Sequence, residues 1–239
     1  MSPMLYSTLC LAGKDSLEDL KQFRQWGSVT PGHPERDIAR GVANTSGPLG
    51  QGHTFAVGAA IAAKFLKHRF GECMGQTIYA FISDGGVQEE ISQGAGRAAG
   101  HLGLDNLIMF YDSNGIQLSS KTKDVTEEDV AAKNKARGWH VITIKGNDAE
   151  GIRAALNEAK TEKERPTLII GKTRMGKGAV KEDGSSFEEE TETHGQPLSA
   201  AGASYDKTIE KLGGDPKNPF QIFPEVQELY DKRKVELKD

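Results

Sequence analysis

Short apolar runs alternate with longer mixed stretches through the middle of the chain. Thr77-Ile78-Tyr79-Ala80-Phe81-Ile82 is β-branched and aromatic, and it ends at Ser83-Asp84-Gly85-Gly86. Leu107-Ile108-Met109-Phe110-Tyr111 ends in the same way at Asp112-Ser113-Asn114-Gly115, and residues 139–144 and 167–170 supply a third and a fourth run. Helical stretches separate them at 87–101, at 126–137, where Thr126 and Asp129 are spaced as in a capping box, and at 147–163. Strands alternating with helices of this length predict an α/β fold, a mostly parallel sheet with helices on both faces. A further helix over 49–69 is apolar and alanine-rich through its middle, which predicts that it is buried. Ahead of it lie a helix at 16–25 and a Pro/Gly-rich loop over 27–52. Behind the last strand come an acidic, solvated loop at 181–192 and two helical stretches, 205–212 and 224–238.

Composition narrows the classes of function. The chain has 239 residues, with 30 basic against 34 acidic side chains, a formal charge of −4. That length buries a sizeable core. A mildly acidic chain without basic blocks is a poor match for nucleic acid. Its longest apolar run, 55–63, is far short of the roughly 20 residues of a membrane span. The first basic residue is Lys14, so the start lacks the basic region of a secretory signal. Cys10 and Cys73 stand alone, which suits reduced thiols and a cytoplasmic location. Glycine is in excess, at 28 residues, and it is clustered.

Two glycine clusters carry no chemistry. Gly94-Ala95-Gly96 with Gly100 has the look of a dinucleotide fingerprint, but it falls inside a helix rather than at a strand-to-helix turn; small residues for close helix packing explain it better. Gly171-Lys172-Thr173 resembles the end of a P-loop, yet Pro166 stands where that loop needs glycine.

Asp84 and Asn114 are different. They are thirty residues apart, one β-α-β unit, and each follows the C-terminal end of a strand, the edge where parallel sheets bind ligands. A carboxylate and a carboxamide are hard oxygen ligands suited to Mg²⁺ or Ca²⁺. Gly85 and Gly86 leave backbone N–H groups open to an anion at a helix start. Spacing alone leaves two readings open, a metal–diphosphate site or two ordinary strand-end turns. His33, held between Pro31 and Pro34, and His194, in Thr193-His194-Gly195, are candidate acid/base or substrate groups, against the plainer reading of exposed loop histidines. His53, His68, His101 and His140 fall in helix or strand patterns and are assigned to structure.

Taken together, the loops resemble those of the transketolase family. The resemblance is carried by Phe23-Arg24-Gln25, Thr30-Pro31-Gly32-His33-Pro34-Glu35, Gly47-Pro48-Leu49-Gly50-Gln51-Gly52, Ser83-Asp84-Gly85, Tyr111-Asp112-Ser113-Asn114-Gly115-Ile116, Gly138-Trp139 and Thr193-His194-Gly195-Gln196-Pro197-Leu198. It spans almost the whole chain, in the family's order. It implies the diphosphate-binding domain of a thiamine-diphosphate enzyme that moves a two-carbon ketol unit between sugar phosphates in the pentose phosphate pathway. By the resemblance, Asp84, Asn114 and the Ile116 carbonyl would ligate Mg²⁺ or Ca²⁺, and Gly85 and Asn114 would touch the diphosphate. Gly47, Pro48 and Leu49 would contact the cofactor's rings. His33 and His194 would line the substrate channel, with His194 also near the cofactor. Glu89 would face the subunit contact between paired active sites.

The family's pattern is not matched everywhere. Ser83 replaces a usual glycine, which strains the turn if its backbone angles are open only to glycine, and Glu90 stands where glycine is common. Family members also begin upstream, with a helix, a strand and a histidine-bearing loop, and continue into a pyrimidine-binding and a C-terminal domain. The expectation is therefore one diphosphate-binding domain over 1–239, with a helical extension at 200–239, inactive alone and completed by a homodimer or a partner chain that carries the pyrimidine-binding domain. The alternatives are a split transketolase-like enzyme and a non-catalytic scaffold. A deoxyxylulose-phosphate synthase fits residues 30–35 and 47–52 less well.

Overall fold

The computed structural model describes residues 2–237. Along the chain run α1 (Ser2–Leu11), α2 (Leu17–Lys21), α3 (Gln51–Phe70), β1 (Ile78–Ser83), α4 (Asp84–Gln88), α5 (Glu90–His101), β2 (Leu107–Ser113), β3 (Ile116–Gln117) and β4 (Ser120–Lys121). Then come α6 (Val130–Ala136), β5 (His140–Lys145), α7 (Ala149–Thr161), β6 (Thr167–Lys172), α8 (Leu198–Ala201), α9 (Tyr205–Lys211) and α10 (Pro224–Glu236). These elements fall into two units, residues 48–212 and the two flanks on either side of them.

Unit 48–212 is built on a four-stranded sheet in the order β1-β2-β6-β5, every neighbouring pair parallel. The inner strands β2 and β6 read as unbroken apolar runs because both of their faces are covered, and Leu107, Met109 and Ile169 are wholly enclosed. On one face, Ile82, Leu107, Met109, Leu168 and Ile170 pack with Ala56, Val57 and Ala60 of α3, Ala95 and Ala99 of α5, and Trp139. On the other, Ile108 and Ile169 pack with Ala155 and Ala159 of α7. That second layer stops short of β1, where Tyr79 and Phe81 are more than half exposed. The expected α/β architecture is present. Among the described residues no helix is long and apolar enough to cross a membrane.

Several elements differ from the sequence reading. Helix α3 is buried on one side only: Phe55, Ile61 and Phe65 point away from the Ala56/Val57/Ala60 face and are exposed. The stretch 87–101 is not one helix, because Glu89 adopts extended angles (φ −67°, ψ 135°) and separates α4 from α5. Helix α6 starts at Asp129, whose side chain accepts from Ala132 N (2.9 Å); Thr126 instead accepts from Glu128 N in a local turn and caps nothing. Position 238 of the expected last helix lies outside the described residues. The acidic loop is solvated as expected apart from Phe187, which anchors it in a small cluster with Ala179 and Ala203.

In the flanking unit, Thr30 is fully enclosed and donates to Asp19 O (2.8 Å), while Tyr6 OH donates to Pro31 O (2.8 Å). Those two bonds pin the loop that carries His33. Arg40 pairs with Asp15 (2.9 Å) and Asp19 (3.2 Å) below it.

Of the glycines inside α5, Gly100 has the packing role assigned to the cluster, and Gly94 does not. Trp139 Nε1 donates to Gly96 O (2.8 Å), and a Cβ on Gly100 would stand 1.8 Å from Arg137 O. Gly94 has nothing within 4 Å. Gly100→Ala should therefore cost about 3 kcal/mol as the backbones are forced apart, whereas Gly94→Ala should leave stability level or raise it by up to about 1 kcal/mol. Urea unfolding of the two variants checks the contrast.

Candidate functional site

The parallel sheet brings the C-terminal ends of β1, β2 and β6 to one edge, with Ser83 beside Asp112 and Asp112 beside Gly171. Asp84 follows β1 directly and is only 2% exposed. Its Oδ1 accepts from Tyr111 OH (2.7 Å), and its Oδ2 accepts from the backbone N–H of Asn114 (3.0 Å) and of Gly115 (3.1 Å). One carboxylate thus fastens the turn after β1 to the turn after β2. Burial and the Asp84 carboxylate push the Tyr111 hydroxyl upward, so it remains a donor.

The second turn is shaped by its own residues. Asn114 Oδ1 accepts from Ile116 N (3.0 Å), and Gly115 takes a left-handed φ of 75°. Gln88 Nε2 donates to Asp84 O (3.0 Å) and to Gln117 Oε1 (2.7 Å), which ties α4 to the β3–β4 hairpin. Beside them Thr173 Oγ1 donates to Asp112 Oδ1, and Lys172 Nζ to Ser113 Oγ (2.9 Å). Asp84, Asn114 and Ile116 therefore share one hydrogen-bonded cluster. Ser83 is extended (φ −116°, ψ 176°), so serine replaces glycine there without strain.

A loop from before α3 lies over this cluster. A Cβ on Gly85 would come 3.1 Å from Leu49 Cδ1, so the bare backbone of Gly85 accommodates the leucine. Gly50, at φ 82°, lies against the Glu89 turn: a Cβ there would meet Ile91 Cγ1 at 2.7 Å and Glu89 Cβ at 3.0 Å. Pro48, Leu49, Gly85 and Glu89 are thus drawn together.

His194 follows the turn Thr191–Thr193, which packs on Gly176 beyond the end of β6, and its Nδ1 is buried with no partner among the described residues. His33 and Gly47 belong to the flanking unit. There they touch each other, since a Cβ on Gly47 would lie 2.7 Å from that of His33. The sequence reading did not single out Tyr111, Gln88 or Gln117. Tyr111 lay within a quoted motif but was counted as strand, and nothing in their spacing marks the two glutamines.

The set Asp84, Asn114 and Ile116 offers a carboxylate, a carboxamide and a backbone carbonyl, all hard oxygens that fit Mg²⁺ or Ca²⁺. Among the described residues no three His, Cys, Asp or Glu are grouped to hold a metal, and within the set Asp84, Asn114 and Ile116 a cation would rest on one carboxylate and neutral oxygens. The rest of its charge balance would have to come from an anionic ligand.

Residues 1–239 match the family described as transketolase, thiamine diphosphate binding domain. The chain belongs to the transketolase family. It is 47% identical to a transketolase of Streptococcus pyogenes over 236 residues, which is 96% of this chain and 31% of that protein. It is 41% identical to transketolase 1 of Vibrio cholerae over 240 residues, 98% of this chain and 35% of that protein. Transketolase from Leishmania mexicana superposes with a TM-score of 0.87 at 37% identity, covering 97% of this chain and 34% of that one. The transketolase of Campylobacter jejuni superposes at 0.85 with 40% identity, over 98% of this chain and 37% of that one. The chain thus spans about a third of the length of the transketolases it matches.

His53 of α3 stands edge-on to Trp139 (6.4 Å), and both of its ring nitrogens are enclosed with no hydrogen-bond partner among the described residues. Burial, and secondarily Arg137, lower its pKa to about 4. The unfolded chain therefore takes up a proton near pH 6.5 that the folded chain refuses until about pH 4, and stability falls as pH is lowered through that window. Over the whole window the loss should approach about 3 kcal/mol, and His53→Gln should flatten it. Urea midpoints measured at several pH values between neutrality and pH 4 check this.

Proposed function

We propose that this chain holds the diphosphate and the cation of thiamine diphosphate in an enzyme that transfers a two-carbon ketol unit from a ketose phosphate to an aldose phosphate. The observation that carries the proposal is the Asp84 carboxylate joined to the Asn114 turn at the sheet's C-terminal edge, in a chain of this family. When bound, the cofactor supplies the carbanion chemistry of carbon–carbon cleavage.

The chain's own contribution is positioning. Asp84, Asn114 and the Ile116 carbonyl present oxygen to Mg²⁺ or Ca²⁺, and the dication in turn neutralises the diphosphate. Asn114 and the bare Gly85 backbone approach the diphosphate. Gly47, Pro48 and Leu49 support the cofactor's rings, with Leu49 already braced on Gly85. His33 and His194 are assigned to the substrate, where a histidine can hold or move a proton on a sugar hydroxyl. Glu89 is assigned to the contact between paired sites. The sugar phosphates are those of the pentose phosphate pathway, and the two free thiols, Cys10 and Cys73, suit the cytoplasm.

A partner belongs to this reading. The exposed Phe55, Ile61 and Phe65 make α3 apolar on both faces, as in helices enclosed on every side. A second copy, or a chain bearing the pyrimidine-binding domain, is the occupant that the function requires.

Asp84→Ala removes the only carboxylate of the proposed set and should abolish Mg²⁺-dependent binding of thiamine diphosphate, with Asn114→Ala weakening it less. Calorimetry on the assembled enzyme measures both, and unchanged affinity in Asp84→Ala overturns the assignment. Alanine at His33 or at His194 should lower kcat/KM on the order of 10²-fold with little change in melting temperature. A large loss of stability with normal turnover would return both residues to structure.

A further inference from the structure

The break at Glu89 needs a physical cause, because the residues on both sides of it, 84–88 and 90–101, are helical. Helix α4 is five residues long and ends with carbonyls that no following turn satisfies. Glu89 N donates back to Gly86 O at a stretched 3.4 Å, and Gln93 N donates to Glu89 O (3.1 Å). Another carbonyl of its last turn, Val87 O, accepts from the side chain of Gln93, whose Nε2 reaches back across the break. Gln93 is 8% exposed, so its amide cannot turn to water instead.

The other end of that amide is held as well. Gln93 Oε1 accepts from Arg137 Nη2 (2.6 Å), at the C-terminal end of α6. Among the described residues Arg137 forms no direct ion pair; Glu128 and Glu90 act on it from a longer range, and the neutral amide of Gln93 is the side chain it bonds. A guanidinium donating to Oε1 dictates which end of the amide is NH₂, and so aims Nε2 at Val87 O. Charge-assisted bonds of this kind are the stronger ones, and serial bonds polarise one another.

The latch acts on the candidate site because of what rests on the turn. Gly50 lies against Glu89 and Ile91 with no room for a Cβ, and Gly50 follows Leu49, which rests on Gly85. The path from Arg137 to the diphosphate site is one of direct contact: Arg137, Gln93, the Glu89 turn, Gly50, Leu49, Gly85.

We infer that Gln93, oriented by Arg137, is a positioning residue for the cofactor site, fixing the Glu89 turn on which the Pro48–Gly50 loop is seated. The inference rests on the functional reading above. Its structural half, the fixing of the turn, is readable without any cofactor.

The informative variant is Gln93→Glu. A carboxylate keeps, and strengthens, the contact with Arg137 but cannot donate to Val87 O. Global stability should therefore hold while the turn loosens, which separates positioning from bulk packing. Hydrogen exchange on the 239-residue chain should show amides 88–93 of Gln93→Glu and Gln93→Ala exchanging on the order of tenfold faster, with the β2 and β6 amides unchanged. Arg137→Met, which leaves Gln93 in place but frees its amide to rotate, should give a smaller increase confined to the same segment. In calorimetry with thiamine diphosphate and Mg²⁺, Gln93→Glu should weaken binding on the order of tenfold at unchanged melting temperature. Unchanged exchange at 88–93 overturns the inference, as does faster exchange spread evenly over α5 and the sheet. Normal affinity in a variant whose turn has loosened also overturns it. The calorimetry is run on the assembled enzyme: an assembly whose wild type binds no thiamine diphosphate, while the chain shows the local exchange effect, refutes the functional reading and confirms the fixing of the turn.

Discussion

The site depends on a single buried carboxylate that collects three hydrogen bonds. Asp84 takes Tyr111 OH on one oxygen and the Asn114 and Gly115 N–H groups on the other. A carboxylate 2% exposed is tolerable only when its lone pairs are filled this completely. The demand runs the other way too. The second turn has to present two adjacent N–H groups to one oxygen, and the left-handed Gly115 together with the Asn114–Ile116 bond shapes the backbone for that. The sheet register, which sets Ser83 opposite Asp112, brings the two turns within reach.

The second constraint is close backbone approach. The Pro48–Gly50 loop lies over the site because Gly85 and Gly50 have no side chains, and α5 meets the Arg137–Trp139 segment because Gly100 has none. The glycine excess of the chain thus reflects two different needs. In the turns, Gly50 and Gly115 supply left-handed angles; in α5, Gly100 supplies proximity. The same residue type is spent on function at one end of the helix layer and on packing at the other.

Much of this was legible in the sequence. The four strands of the main sheet ended within two residues of the bounds that the apolar runs suggest, and the inner pair, β2 and β6, read most plainly because both of their faces admit almost nothing polar. Asp84 and Asn114 were legible because strand-end position and β-α-β spacing are one-dimensional properties. The break at Glu89 was not legible, since it depends on a side chain four residues later bonding back to Val87 O and on an arginine from another helix. The exposed side of α3 was missed for a similar reason. Apolar composition shows that a helix seeks cover, and cannot say whether this chain provides it. The start of α6 turned on a choice between Thr126 and Asp129, and the residue whose side chain reached a free helical N–H became the cap.

Strand β1 has a consequence of another kind. Among the described residues it lies at the edge of the sheet, with β2 as its one partner, and Ile78-Tyr79-Ala80-Phe81-Ile82-Ser83 contains no charge, no proline and no bulge. Natural edges are commonly blunted by such features, and this one is not. Its outer row of amides and its two exposed rings form a template for further strand addition, and an unprotected segment of six uncharged residues is the kind that seeds cross-β growth. The strand that delivers Asp84 to the site is therefore also a place where the described residues leave backbone open to strand addition, and whatever lies along β1 decides between assembly and precipitation.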